Sequence, residues 1–204
     1  MLQRKYKTCI TLVFLSLIMT APSYASGATD TVSHLQTALI QSMKKGDRLG
    51  YPDRVTQLGS IVNQSHDFRL ISKVVIGKYW KTLSPDQQKA FTNMFKNLSV
   101  SMYANRFNSY GGETFTIISE KDAPRGKRKF VDTSFTKSDG EEIRFLYMLH
   151  KVSKKWKILN ITVNGVSDLA LKRVEYGGIL KKNNGFQILL RTLQSQIDKN
   201  ANGQ

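Results

Sequence analysis

One cysteine, four prolines, two tryptophans and three histidines are spread over 204 residues, and acidic side chains number 15 against 31 basic ones. Each shortage excludes something. The single cysteine, Cys9, can form no intrachain disulfide and no cysteine-ligated metal site. The histidines, His34, His66 and His150, fall in separate predicted elements, with no His-x-x-x-His pair and no carboxylate cluster beside them. No Gly-x-Ser-x-Gly, Walker loop or dinucleotide fingerprint occurs. Asp67 follows His66, but adjacent side chains on a helix diverge, so Asp67 reads as a helix start. Glu141-Glu142 reads as a solvated hairpin tip. No residue set asks for catalysis, a metal or a cofactor, and none is expected.

Long apolar runs are also missing. The longest, Cys9–Met19, has only eleven residues, whereas a membrane-spanning helix needs about 20. Arg4, Lys5 and Lys7 precede it, Pro22 breaks it, and Ser23-Tyr24-Ala25 offers small residues at the positions a signal peptidase reads. Positive, apolar and small-residue parts in that order are the pattern of a cleavable secretory leader. Residues 1–25 are therefore expected to be removed, leaving 26–204 as a single exported domain of ordinary size. Cys9 leaves with the leader, and so do three basic residues and no acidic one. The excess of positive charge persists and points to anionic partners; export makes a lipid surface or an acidic protein a better fit than nucleic acid.

What is present alternates in period. Val32, Leu35, Ala38, Leu39 and Met43 have helical spacing over 30–45, and Val55, Leu58, Ile61 and Val62 repeat it beyond Gly50-Tyr51-Pro52. A third helix is predicted from Asp67 to about Lys81, apolar on more than one stripe. Ser84-Pro85-Asp86-Gln87 combines an N-cap serine, a first-turn proline and a capping-box glutamine. The helix it opens is expected to end near Tyr110-Gly111-Gly112. Four strands follow, at 113–119, 130–137, 142–152 and 155–163, with short turns that imply an antiparallel meander. After Asn164-Gly165 the pattern is helical again, with Val166, Leu169, Leu171, Val174, Tyr176, Ile179 and Leu180; Asn183-Asn184-Gly185 separates this from a last helix carrying Phe186, Ile188, Leu189, Leu193 and Ile197. The expected fold is α+β, a twisted four-stranded antiparallel sheet wrapped by N-terminal and C-terminal helices around an apolar pocket.

Two elements are apolar on both sides. The Pro85 helix carries Phe91, Met94, Phe95, Leu98, Met102 and Phe107, and the third strand contains Phe145-Leu146-Tyr147-Met148-Leu149. A strand with one wet face would alternate, so cover is expected on each side. A lined, adaptable pocket for a greasy ligand has this signature, although periodicity alone does not separate it from a filled core. The basic clusters are Arg125-Gly126-Lys127-Arg128-Lys129, Lys151/Lys154/Lys155/Lys157, Lys172-Arg173 and Lys181-Lys182. In a meander the first two share one end of the sheet, where a patch for acidic head groups or an acidic membrane partner is expected.

The stretches Gly77-Lys78-Tyr79-Trp80-Lys81, Ser84-Pro85-Asp86-Gln87-Gln88, Phe91…Phe95, Tyr103…Phe107…Tyr110-Gly111-Gly112-Glu113, Trp156-Lys157-Ile158 and Gly165-Val166-Ser167, then Arg173, Tyr176, Ile179 and Gly185…Leu189, come in a distinctive order. The chain resembles the toluene-tolerance family of periplasmic lipid-binding proteins, which includes MlaC. Tyr103-Ala104-Asn105-Arg106-Phe107 and the 166–173 stretch are more similar to HpnM, its hopanoid-associated branch. The resemblance implies a periplasmic shuttle that carries phospholipid as the soluble component of an Mla-type ABC-transporter system, between an inner-membrane transporter complex and an outer-membrane lipoprotein complex, with transient membrane-surface contact. Its alternatives are a hopanoid carrier and a basic membrane-docking adaptor with a solid interior. The side chains expected to line the lipid site are Phe68, Ile71, Val75, Tyr79, Phe91, Met94, Phe95, Leu98, Met102, Phe145, Tyr147 and Met148. Replacing Leu98 by tryptophan is expected to lower lipid occupancy without unfolding the chain.

Overall fold

The computed structural model describes residues 27–124 and 126–203. The expected leader lies outside the described residues, as does Arg125 of the first basic cluster.

The first helix, α1 (Ala28–Lys45), buries the stripe Val32, Leu35, Leu39 and Met43. Its start is tied to the sheet, because the backbone N–H and the hydroxyl of Thr29 both donate to Glu120 of the first strand, at 2.9 and 2.6 Å. A 3-10 turn (Gly46–Arg48) leads to α2 (Tyr51–Ser65), with Pro52 in its first turn. Next comes α3 (Phe68–Ile76), capped by Asp67, whose carboxylate accepts from the Leu70 N–H at 2.9 Å. The expected continuation to Lys81 stops at Gly77, where φ is +60° and ψ −126°, a conformation that costs a side chain strain but suits glycine. A 3-10 segment (Gly77–Thr82) follows. The capping box at Ser84 forms as predicted and opens α4 (Pro85–Arg106). This helix ends at Arg106, short of Tyr110-Gly111-Gly112.

The strands are β1 (Thr114–Asp122), β2 (Arg128–Thr136), β3 (Glu142–Val152) and β4 (Lys155–Val163), every neighbouring pair antiparallel. To the expected four-strand meander the structure adds a two-residue edge strand, β5 (Val166–Ser167), where helix was predicted. The fold is α+β, and the sheet order is β1-β2-β3-β4-β5. Two helices finish the chain: α5 (Asp168–Leu180), capped by the Ser167 hydroxyl, and α6 (Gly185–Ala201). α4 packs between α2 and α6, α3 lies against α5, and α1 crosses β1, β2 and β4.

Pairing of Phe115 with Phe135, Phe135 with Ile143, Thr133 with Phe145 and Val131 with Tyr147 puts these residues on one sheet face. That face meets the helices: Gln36 of α1, itself buried, donates from Nε2 to Thr133 Oγ1 at 3.0 Å and to the Tyr147 hydroxyl at 3.4 Å. The other face is polar in part, with Arg144 and Asp132 in a two-bond pair at 2.6 Å. Leu146 and Met148, the apolar residues of β3 with this parity, are half-buried beside their strand neighbours. Part of the cover expected for the second face of β3 is thus provided by cross-strand pairs.

Candidate functional site

Between the inner face of the sheet and α3, α4 and α5 lies a cavity of about 420 Å³. The size falls in the range of small-molecule sites. Burial grades along it. Leu39, Phe68, Ile71, Phe95, Ile158 and Leu159 are buried and make the floor, whereas Arg106 and Asp168 are exposed. The register explains the gradient. Phe135 opposite Ile143 and Phe145 opposite Val163 lie near the end of the sheet that carries the β2–β3 turn, where α4 ends and α5 begins. That end is the mouth.

Aromatic rings make much of the wall. Tyr103 and Phe107 have centroids 6.0 Å apart, Phe107 and Phe135 6.0 Å, Phe135 and Phe145 6.4 Å, and Phe145 and Tyr147 6.2 Å. Phe68 and Phe95 meet edge-on at 6.5 Å at the deep end.

Charge and neutrality are segregated. His66 Nδ1 is 3.0 Å from the Val62 carbonyl, which can only accept, so Nδ1 carries the hydrogen and Nε2 faces the Tyr103 hydroxyl at 3.4 Å as acceptor. Burial pulls the His66 pKa down to about 4, which keeps the ring uncharged at neutral pH. Burial likewise pushes Tyr147 up to about 12 and raises Tyr103. The polar groups inside are therefore neutral. The charged lining residues, Arg106, Lys137, Asp168 and Lys172, gather at the mouth, where Lys137 pairs with Glu141, and Lys172 approaches Asp168 at 3.8 Å. An amphiphile fits this distribution, with its apolar part enclosed and a charged group at the rim.

The MlaC protein family model matches residues 33–195. The chain belongs to the MlaC family. Among curated relatives, the toluene tolerance protein ttg2D of Pseudomonas putida is 26% identical over 161 residues, 76% of this chain and 73% of the relative. The intermembrane phospholipid transport system binding protein MlaC of Haemophilus influenzae is 28% identical over 130 residues, 61% of this chain and 59% of the relative. Among solved structures, the phospholipid-binding protein of Ralstonia solanacearum in complex with a phospholipid superposes with a TM-score of 0.73, covering 86% of this chain and 99% of that one. At 19% identity this likeness is one of fold.

Of the twelve side chains expected to line the site of this MlaC-family chain, Phe68, Ile71, Phe95, Met102, Phe145 and Tyr147 line the cavity. The other six are placed elsewhere. Val75, Phe91 and Leu98 are buried in the packed core, with Phe91 against Tyr176 at 6.2 Å. Tyr79, Met94 and Met148 are half-buried around that core, Met148 on the opposite parity of β3 from Phe145 and Tyr147. A two-sided helix divides its apolar residues between cavity and core, and helical period alone does not label the sides. The wall also uses Phe107, one of the apolar residues of the two-sided Pro85 helix though outside the twelve, and Tyr103, Phe135, Ile161 and Leu169, which lay within predicted elements but were not singled out for it. The charged rim comes from element ends that only the fold brings together.

The histidines resolve differently. His34 is exposed, and His66 is buried and hydrogen-bonded. Asp67 does find a histidine, not its neighbour but His150, at 3.0 Å from Nε2. Among the described residues no group of His, Cys, Asp and Glu could hold a metal ion. The two basic turns share one end of the sheet, as expected from the meander, with Asp122 opposite Lys129 and Val152 opposite Lys155. There the Lys129 and Lys151 ammonium groups sit 5.7 and 5.9 Å from the Trp156 ring centroid, but Glu120 and Asp122 already pair with Lys129. This cluster is at the far end of the sheet from the cavity mouth.

Proposed function

We propose that the chain is an exported, non-catalytic carrier that holds a phospholipid with its acyl part in the cavity and its headgroup at the Arg106/Lys137/Lys172 rim. The observation that carries this reading is the segregation itself: aromatic and aliphatic walls, neutral polar groups inside, and charge confined to one open end. Enclosing fourteen carbons of an acyl chain, at about 0.8 kcal/mol per CH₂, offsets roughly 10 kcal/mol of exposure to water. Transfer then needs no chemical step, only a shielded path.

The names of the relatives, a phospholipid transport system binding protein and a phospholipid-binding protein, support the ligand class. The leader-like residues 1–25 support a periplasmic location, and a carrier in that compartment would work between an inner-membrane ABC transporter complex and an outer-membrane lipoprotein complex. No helix among the described residues is long and apolar enough to cross a membrane, in keeping with a shuttle that leaves the bilayer. The cavity favours the carrier over an adaptor with a solid interior.

Native mass spectrometry of the protein purified from the periplasm, followed by solvent extraction, tests the proposal. The expected result is a one-to-one adduct whose mass is that of a glycerophospholipid. A hopanoid mass would replace the ligand class, and a bare protein mass unchanged after incubation with phospholipid vesicles would overturn the carrier reading.

A further inference from the structure

Val166, Leu171 and Val174 belong to the apolar pattern predicted as helix after Asn164-Gly165, yet they face solvent. Leu171 is 59% exposed, Val174 78%, and Val166, in the adjoining β5, 53%. At 3.6 residues per turn, Leu169, Tyr176 and Leu180 fall on one side of α5, while Leu171, Val174 and Gly178 fall on the opposite one. The first side is occupied: Leu169 lines the cavity and Tyr176 is fully buried. The second is an apolar strip facing solvent on the helix that supplies Asp168, Leu169 and Lys172 to the mouth. Concentration of exposed aliphatic residues on one short helix marks a contact surface rather than scattered surface hydrophobics.

Its surroundings select the partner. α5 packs against α6 and β4 and also against α3 and the 3-10 segment Gly77–Thr82, and neither of these last two contains an acidic residue. Together with α5 and the turn after it they present Lys73, Lys78, Lys81, Arg173, Lys181 and Lys182 against two carboxylates, Asp168 and Glu175. An aliphatic strip on a helix within a cationic surround is the arrangement that settles at the interface of an anionic bilayer, the side chains entering the acyl boundary and the lysines meeting phosphates. We infer that the outer face of α5 docks on an anionic lipid bilayer and sets the cavity mouth against it, so that a lipid passes between membrane and cavity over a short path. The inference rests on the carrier reading for its purpose, and on the exposed strip and its charge for its place. It assigns membrane contact to the mouth end, not to the Trp156 end, where cations cover the ring and acidic neighbours hold Lys129.

A single thiol for an environment-sensitive fluorophore tests it, introduced as Val174→Cys or, at the far end of the sheet, as Val152→Cys, each with Cys9→Ser. Val152 is 40% exposed, so both sites can be labelled. The proteins are mixed with vesicles of phosphatidylglycerol or of phosphatidylcholine, and bound lipid is read separately by mass. The 174 probe is expected to shift to shorter wavelength and to be quenched by bilayer-embedded quenchers, with the 152 probe unmoved. Binding to phosphatidylglycerol is expected to be at least about tenfold tighter, the size produced when two or more lysines reach an anionic surface, and to weaken with salt. Leu171→Asp with Val174→Asp, changes in exposed side chains that the core does not touch, is expected to slow lipid uptake while leaving the final amount bound unchanged. A 174 probe that stays in water while the protein takes up lipid overturns the inference and leaves the carrier reading standing, and equal insertion of both probes overturns it as well. If no lipid is taken up from either vesicle the carrier reading fails, and the position of the 174 probe still decides the docking face.

Discussion

His66 places an ionisable ring between the cavity floor and the wall, stacked on Phe68 with centroids 5.4 Å apart. Its folded pKa, about 4, lies below the ordinary 6.5 because burial disfavours the charged ring. Between those values the unfolded chain binds a proton that the folded chain does not, so stability is complete above pH 6.5 and falls as the pH drops towards 4. The depression is worth on the order of 3 kcal/mol. Urea midpoints at pH 7, 5.5 and 4.5 are expected to decline in the parent protein and to decline much less in His66→Gln. The same slope in both would assign the loss to carboxylates such as Asp132 and Glu120, whose pKa values are held low by hydrogen bonds from Arg144 and from Lys129 and Thr29.

Among the elements, the break between α3 and the 3-10 segment after it depends on one residue. Gly77 takes φ +60°, and a Cβ there would sit 3.3 Å from the Arg173 guanidinium of α5. Backbone strain and displacement of Arg173 act together in Gly77→Ala, and a loss of about 1–3 kcal/mol is expected, read from the shift of the urea midpoint. If the midpoint does not move, α3 continues through residue 77 without strain. The break was hidden in the sequence because Tyr79 and Trp80 prolong the apolar pattern beyond it; period reports which residues want burial and not whether the backbone stays α-helical. The Ser84 capping box was visible because its two hydrogen bonds are local, between residues three apart. The ends of β3 and β4 were visible for a similar reason, being bounded by tight turns.

For the molecule as a whole, the consequence of the fold is an interior divided into core and cavity. Met102 is half-buried and lines the cavity, whereas Leu98, one turn earlier on α4, is 1% exposed and does not. Met102→Trp is therefore expected to fill space that a ligand would use, lowering the amount of co-purifying lipid several-fold with little change in Tm. Leu98→Trp is expected to overpack the core and cost about 1–3 kcal/mol, so the loss falls on stability first. Mass spectrometry and thermal melting of the two variants side by side check the division; equal lipid content in Met102→Trp and the parent would remove Met102 from the site.

The leader pattern, the excess of positive charge and the α+β order of elements all follow from local composition and period, which act over a few residues and are written in the chain. The inner parity of β3 was only half legible: a strand's side chains alternate whatever packs on them, but Phe145-Leu146-Tyr147-Met148-Leu149 is apolar on both sides, and Met148, expected beside Phe145 and Tyr147, lies on the opposite face. Which side of α4 faces a void, which of three histidines meets Asp67, and where Arg106, Lys137 and Lys172 converge depend on contacts between residues far apart in the chain. The exposure of Leu171 and Val174 belongs to the same class. A pattern of apolar residues states a preference for burial, and only the packing of one element against another decides which of them obtain it.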